Sequence, residues 1–196
     1  MTLPATPRRF TVEEYLAIER AAESRSEYID GQIYAMTGAS RAHNLITLNL
    51  ASALHAALSG SPCEVYASDM RVKVADTALY AYPDVVVACP PLDWLDGRMD
   101  TLGNPVVIVE VLSPSTEGYD RGPKFLRYQR LAALRHYVMI SQDALKIEHY
   151  RRDGTGWRFD VLEDAADVLA LESIGAQVGL AAIYARVSVA GRSGAP

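Results

Sequence analysis

Apolar positions along the chain follow two rhythms, one helical and one of strands. Thr11-Val12-Glu13-Glu14 has capping-box form, a hydroxyl at the N-cap and a carboxylate three residues on, and predicts a helix over Val12 to about Ala22. Glu27 to Met36 reads as two short strands around Asp30-Gly31, a dipeptide suited to a tight hairpin turn. From His43 to Leu58 the apolar residues Ile46, Leu50, Ala53, Leu54 and Ala57 recur at helical spacing, and Gly60 supplies a stop. Strands follow at Glu64–Ala67 and Met70–Val74. The second alternates apolar with basic residues, which predicts one wet face carrying Arg71 and Lys73. Val85-Val86-Val87, within Tyr82 to Ala88, and Val106-Val107-Ile108-Val109, within Pro105 to Leu112, are unbroken apolar runs. Such runs suit central strands covered on both faces.

Cys89 to Asn104, between those runs, carries prolines, glycines and the acids Asp93, Asp96 and Asp100. It predicts a long surface loop with a solvated acidic face. Ser113-Pro114-Ser115-Thr116 then breaks the strand. Pro123 suits the first turn of a helix through about Leu131, which leaves Ser113 to Gly122 as a loop. Further strands are expected at Arg135–Ile140, Leu145–Arg151 and Trp157–Val161, the last two joined at Asp153-Gly154. The first ten residues read as a loose arm and the final Gly-Arg-Ser-Gly-Ala-Pro as a frayed tail. The expected organisation is a single domain over residues 1–196, with a core over about 10–185.

Composition narrows the class. A chain of 196 residues with 49% hydrophobic and 22% charged residues can bury a full core, which excludes whole-chain disorder. Two cysteines do not make a disulfide framework, and Cys63 and Cys89 are expected as buried apolar filler. No apolar run approaches the roughly 18–20 residues of a membrane span. The N-terminus lacks an apolar h-region, so no membrane partner is expected and the cytoplasm is the expected location. A net charge of −5 argues against a dedicated non-specific nucleic-acid-binding module. It is compatible with an enzyme on nucleic acid, because metal-binding carboxylates add negative charge at a site.

Candidate chemistry starts from two acids in apolar surroundings. Asp84 opens the Val85-Val86-Val87 run and Glu110 lies inside the other. A buried ionised carboxylate without a partner costs several kcal/mol. On neighbouring strands the two acids can share a divalent metal, and hard oxygen ligands suit Mg²⁺ or Mn²⁺. Otherwise Asp84 is a turn acid bonding local backbone, and Glu110 half of a buried salt bridge to an arginine. By alternation Ile108, Glu110 and Leu112 share one face, so the position two after Glu110 offers no proton chemistry. The next lysine, Lys124, reaches the carboxylates if its helix folds back over the sheet; otherwise it is an exposed helix lysine. Glu27 reads as a solvated strand acid, Asp30 as a turn former, and His43 as a capping or core histidine in preference to one that lines the cleft. His55, His136 and His149 show no metal-ligand spacing. No glycine-rich phosphate cradle is present, and Ser113 to Thr116 lacks a nucleophile elbow.

Taken together, Tyr82-Pro83-Asp84, Val109-Glu110-Val111-Leu112-Ser113-Pro114-Ser115-Thr116, Asp120-Arg121-Gly122-Pro123-Lys124 and Tyr128 resemble the Uma-type restriction endonuclease family, a domain of unknown function in the PD-(D/E)XK nuclease superfamily. The likeness extends to Glu27-Tyr28-Ile29-Asp30-Gly31, His43 and His136 to Ile140. It implies a restriction-endonuclease-like α/β (mixed α+β) core, a mixed sheet flanked by helices. It puts the metal-binding acids at Asp84 and Glu110, with the Val111 carbonyl as a further ligand. The superfamily lysine, normally two residues after the second acid, is displaced to Lys124, and Glu27 completes the acidic cluster.

The implied reaction is Mg²⁺-assisted hydrolysis of phosphodiester bonds in DNA, with Mn²⁺ as substitute. A nuclease-fold protein that binds nucleic acid or protein and cuts poorly is the alternative. A metal hydrolase of smaller phosphoesters is a third reading. Arg71, Lys73, Arg121, Lys124, Arg127 and Arg130 are candidate phosphate-following residues, or else an ordinary solvated face. A homodimer fits cleavage of two strands.

Overall fold

The computed structural model describes residues 8–74 and 77–189. The arm's first seven residues and the C-terminal tail expected from the sequence lie outside the described residues. Phe10 is tied down: its N–H donates to Gly31 O at 2.8 Å, and Tyr28 Oη donates to its carbonyl at 2.8 Å.

Helix α1 (Val12–Ala21) starts at the Thr11–Glu14 capping box, with both reciprocal bonds formed. Strands β1 (Ser26–Ile29) and β2 (Gln32–Ala35) pair antiparallel, with Ile29 opposite Gln32. Asp30 (φ 49°) and Gly31 (φ 89°) form the two-residue loop, and a left-handed pair of this kind matches the strand twist. Helix α2 (Arg41–Ala57) is followed by β3 (Glu64–Ala67), β4 (Arg71–Val74), β5 (Leu79–Ala81), β6 (Val85–Ala88), β7 (Thr101–Leu102) and β8 (Val107–Leu112). A helical segment then runs through α3 (Glu117–Tyr119), a π-turn (Asp120–Lys124) and α4 (Phe125–Tyr128). The chain continues as β9 (His136–Ser141), β10 (Ile147–Asp153), β11 (Gly156–Leu162), β12 (Val168–Leu171), a 3₁₀ turn (Glu172–Ile174), β13 (Ala176–Gly179) and α5 (Leu180–Ile183).

The strands form a six-stranded mixed sheet in the order β11-β10-β9-β8-β6-β3, a five-stranded sheet β2-β1-β5-β4-β7, and a β12–β13 hairpin. Only β8–β9 is parallel in the larger sheet. The apolar runs at β6 and β8 lie side by side at its centre, every residue buried. Alternation sends their side chains to two cores. Val85, Val87, Val107, Val109 and Val111 meet Ile46, Leu50 and Leu54 of α2 and the β12–β13 hairpin. Val86, Ile108 and Leu112 face the other way, against Phe125, Tyr128 and the apolar side of β4, β5 and β7. Glu110 therefore points toward the side covered by the helical segment.

Four sequence expectations are corrected. Cys63 and Cys89 form a disulfide rather than separate apolar filler. Antiparallel pairing of Glu64 with Ala88 puts the cysteines next in register, a neighbourhood made by residues 26 apart in sequence. Arg71 is 3% exposed, not on a wet face. Its Nε donates to Thr101 Oγ1 at 2.9 Å and its Nη1 to Tyr82 Oη at 3.0 Å, so β7 and Tyr82 bury it. The Cys89–Asn104 segment is not simply solvated: it contributes β7, and Asp96 and Asp100 pair with Arg20 of α1. The helix expected to begin at Pro123 begins at Glu117, with Pro123 inside it. Proline brings no N–H for the Tyr119 carbonyl four residues back, and a π-turn moves that bond to the next donor. The pattern also assigned nothing to β12, β13 and α5, whose elements are only four residues each.

Candidate active site

The register that joins β6 to β8 builds the centre of the site. Val85 lies opposite Val109, and one step further places Asp84 across from Glu110. Asp84 Oδ2 accepts from the Val111 backbone N–H at 2.7 Å, which fixes the carboxylate against the end of β8. Its Oδ1 stands 3.2 Å from His43 Nε2.

His43 is held from the first turn of α2. Ser40 caps that helix, its Oγ accepting from His43 N at 3.0 Å. Ser40 Oγ also donates to Gln142 Oε1, and Gln142 Nε2 donates to Leu112 O at 3.0 Å. The histidine is thus braced against the same strand end as Asp84. Burial alone would lower its pKa; the Asp84 carboxylate and the Val111 backbone outweigh that and raise it.

The helical segment supplies the rest. Asp120, Lys124 and Tyr128 are spaced by four, so one side of the segment points at Glu110. Lys124 Nζ lies 2.9 Å from Glu110 Oε1, 3.0 Å from Glu27 Oε1 and 3.5 Å from Asp120 Oδ1. Tyr128 Oη donates to the same Glu110 Oε1 at 3.1 Å, so Oε2 carries neither bond. Tyr137 Oη holds the Asp120 carbonyl at 2.9 Å, and Tyr82 N donates to Glu27 Oε1 at 3.3 Å.

Burial sets the electrostatics. Desolvation raises Glu110 well above the ordinary carboxyl range, only partly opposed by Lys124. Desolvation also pulls on Lys124, but Glu110, Glu27 and Asp120 carry its pKa well above normal, so it stays charged. Asp120 is raised chiefly by burial. The carboxylates of Glu27, Asp84, Glu110 and Asp120 thus face one lysine and one histidine, which leaves the pocket short of positive charge.

All four sequence-nominated side chains, Glu27, Asp84, Glu110 and Lys124, meet here, and Val111 contributes its backbone. Asp120 and Tyr128 were quoted from the sequence only as part of the family likeness and were given no role, and Gln142 was not singled out. The helix expected from Pro123 left Asp120 in a loop, which hid its four-residue spacing from Lys124. His43 lies within the site rather than in the core. The candidate phosphate-following surface is largely consumed. Arg121 pairs with Glu117 and Glu148, Arg127 with Asp30, and Arg71 with Asp100. Lys73 and Arg130 form no ion pair among the described residues. There, too, no three His, Cys, Asp or Glu side chains already converge as a metal-holding group.

Residues 12–182 match the model of the Uma2 family, described as "Putative restriction endonuclease". The chain belongs to the Uma2 family. Two relatives come from Synechocystis sp. (strain ATCC 27184 / PCC 6803 / Kazusa). The uncharacterized protein slr1290 is 38% identical over 182 residues, covering 92% of this chain and 95% of its own. The uncharacterized protein sll1609 is 37% identical over 154 residues, covering 79% and 87%. The fold is similar to the crystal structure of a putative nuclease belonging to DUF820 from Anabaena variabilis ATCC 29413. The TM-score is 0.72 at 16% identity, over 91% of this chain and 99% of that one. The fold of this Uma2 member is therefore nuclease-like, a mixed α/β arrangement flanked by helices. No described helix is long and apolar enough to cross a membrane.

Proposed function

We propose that this Uma2 protein is a Mg²⁺-dependent endonuclease that hydrolyses phosphodiester bonds in DNA. The observation that carries the reading is the juxtaposition of Asp84 and Glu110 on paired central strands beside a buried lysine. The residues fit a hard cation. Asp84 Oδ1, Glu110 Oε2 and the Val111 carbonyl are oxygen donors of the kind Mg²⁺ and Mn²⁺ take. The pocket's surplus of carboxylates is what such an ion would offset. When bound, the ion supplies polarisation of the scissile phosphate and a water of lowered pKa.

The chain's own residues prepare that chemistry. Val111 N–H orients Asp84, while Lys124 and Tyr128 orient Glu110. Lys124, anchored between Glu27 and Glu110, holds a fixed positive charge for the negative charge that develops on the phosphate. Glu27 positions the lysine. The protein acts in the cytoplasm on this reading, as a homodimer if both strands of a duplex are cut.

A second reading, a nuclease-fold protein that binds nucleic acid or protein with little cleavage, is favoured by one observation: most candidate phosphate-binding arginines are spent on internal ion pairs. Calorimetric titration with Mg²⁺ and Mn²⁺, followed by plasmid nicking, separates the two. Metal binding and nicking that vanish in Asp84→Ala and Glu110→Ala, with circular dichroism unchanged, is the expected result. No metal binding by the wild type, even with DNA present, overturns the nuclease reading.

A further inference from the structure

One polar group beside the site has no use in the arrangement above. Tyr119 is the last residue of α3, one position before Asp120 and five before Lys124. Its hydroxyl is buried yet has no hydrogen-bond partner among the described residues. The charges acting on it are those of Lys124, Glu27, Arg127 and Asp120, so it lies within the field of the site's charged groups. Burial pushes the phenol up to about 12, so the group keeps its proton and is a donor at neutral pH.

A buried hydroxyl without a partner is a standing cost, and native structures rarely keep one without a reason. The other polar side chains of the cluster are bonded: Tyr128 to Glu110, Tyr137 to the Asp120 carbonyl, and Lys124 to its carboxylates. What is missing is an acceptor, which a phosphate oxygen supplies while also meeting the Lys124 ammonium. Tyr119 also sits just ahead of the widened turn that Pro123 imposes, so Tyr119 and Lys124 stand one such turn apart on one helical segment.

We propose that Tyr119 Oη donates a hydrogen bond to a non-bridging oxygen of a phosphate group bound beside Lys124. The role rests on the nuclease reading when the phosphate is the scissile one, but phosphate binding itself does not. Tyr119 then supplies a neutral donor that complements the lysine charge. Preorganised donors of this type act mainly on the charge that builds up during phosphoryl transfer.

The test compares wild type with Tyr119→Phe, which keeps the ring and removes only the hydroxyl. Two quantities are read: inorganic phosphate affinity by calorimetry, and the single-turnover rate of Mg²⁺-dependent plasmid nicking. The expected result is a loss of about 10- to 100-fold in at least one of them. Half-saturation by Mg²⁺ should stay within about twofold, and the melting temperature should be equal or higher, because an unpartnered buried hydroxyl has been deleted. A structural role would instead lower the melting temperature and leave both readouts unchanged. If wild type does not nick DNA but loses phosphate affinity on substitution, the nuclease reading fails and the Tyr119 assignment stands. If the wild type nicks and the variant matches it in both readouts, the assignment fails and the nuclease reading stands. If the wild type neither nicks DNA nor binds phosphate, both fall.

Discussion

Two buried charged clusters lie on either side of Tyr82, and they are built to different standards. In the first, Glu19 of α1 is 1% exposed and accepts from Ser26 N at 3.1 Å, from Ser26 Oγ and from Tyr82 Oη at 2.8 Å. Arg71 reaches Tyr82 Oη and Thr101 from the other side. Its Nη2 stands 2.9 Å from Asp100, an ion pair out of line for a hydrogen bond. Tyr82 Oη both donates and accepts, so acid and base are balanced and closed through one phenol. The second cluster, around Glu110, has more acids than cations, a carboxyl pushed up by burial and a phenol with no acceptor. Burial of charge is common to both, and each leaves one polar atom without a hydrogen bond, Arg71 Nη2 in the first and Tyr119 Oη in the second; only Arg71 Nη2 has an ion-pair partner, and the surplus of acids belongs to the second. A closed network ties elements together, whereas an open one is finished by something that binds.

That contrast can be broken experimentally. The largest expected effect is Glu110→Gln, which should lower the nicking rate at least about a thousandfold, near 4 kcal/mol of barrier, while stability stays level or rises. A large stability loss with nicking retained would put Glu110 in the structural class. Glu19→Ala is the mirror image. It strands the buried donors of Ser26 and Tyr82, for about 3 kcal/mol of lost stability by urea denaturation. Nicking per folded molecule should not change, and a fall would erase the distinction.

The histidines His136 and His149 extend the closed class. His136 Nδ1 and His149 Nε2 are 3.0 Å apart, and Ser173 N donates to His136 Nε2 at 3.4 Å. Since His136 Nε2 accepts, its proton sits on Nδ1 and points at His149. Burial lowers both to about 4, against an ordinary value near 6.5. The unfolded chain therefore takes up protons first as pH falls. The pair's contribution is fully present above about pH 6.5 and is lost on the way down to about 4, on the order of 2 kcal/mol. Urea midpoints across that window should show the fall, and it should flatten in the His136→Leu/His149→Leu double variant. The smallest effect is Thr11→Ala, which removes the cap of the helix carrying Glu19. A loss of about 1 kcal/mol in thermal melts is expected, with metal binding untouched.

How much of this was legible depends on the range of the signal. The cap at Thr11, the Asp30-Gly31 turn and the periodicity of α2 are local, and the chain forms them as its pattern predicts. Asp84 and Glu110 stood out because an acid inside a β-branched run contradicts its surroundings. Arg71 was misread because alternation of apolar and basic residues in β4 looks the same whether the basic face meets water or β7. The disulfide was missed for a related reason: Cys63 and Cys89 become neighbours only through the β3–β6 register. Asp120 was hidden by a proline that usually opens a helix and here lies inside one.

The sequence by itself determined the cap of α1, the β1–β2 turn, α2 and the central strands, the two misplaced acids and the family likeness, because each is written in residue type and short spacing. Only the tertiary structure decided which charges are closed and which are open. Glu19 and Glu110 are both carboxylates in apolar settings. What separates them is the set of donors that distant parts of the chain deliver. Ser26 and Tyr82 close one, while Lys124 and Tyr128 hold a single oxygen of the other. Hydrogen bonding and desolvation act over a few ångströms in space, whatever the separation in sequence, so that difference exists only once the sheets and the helical segment are assembled.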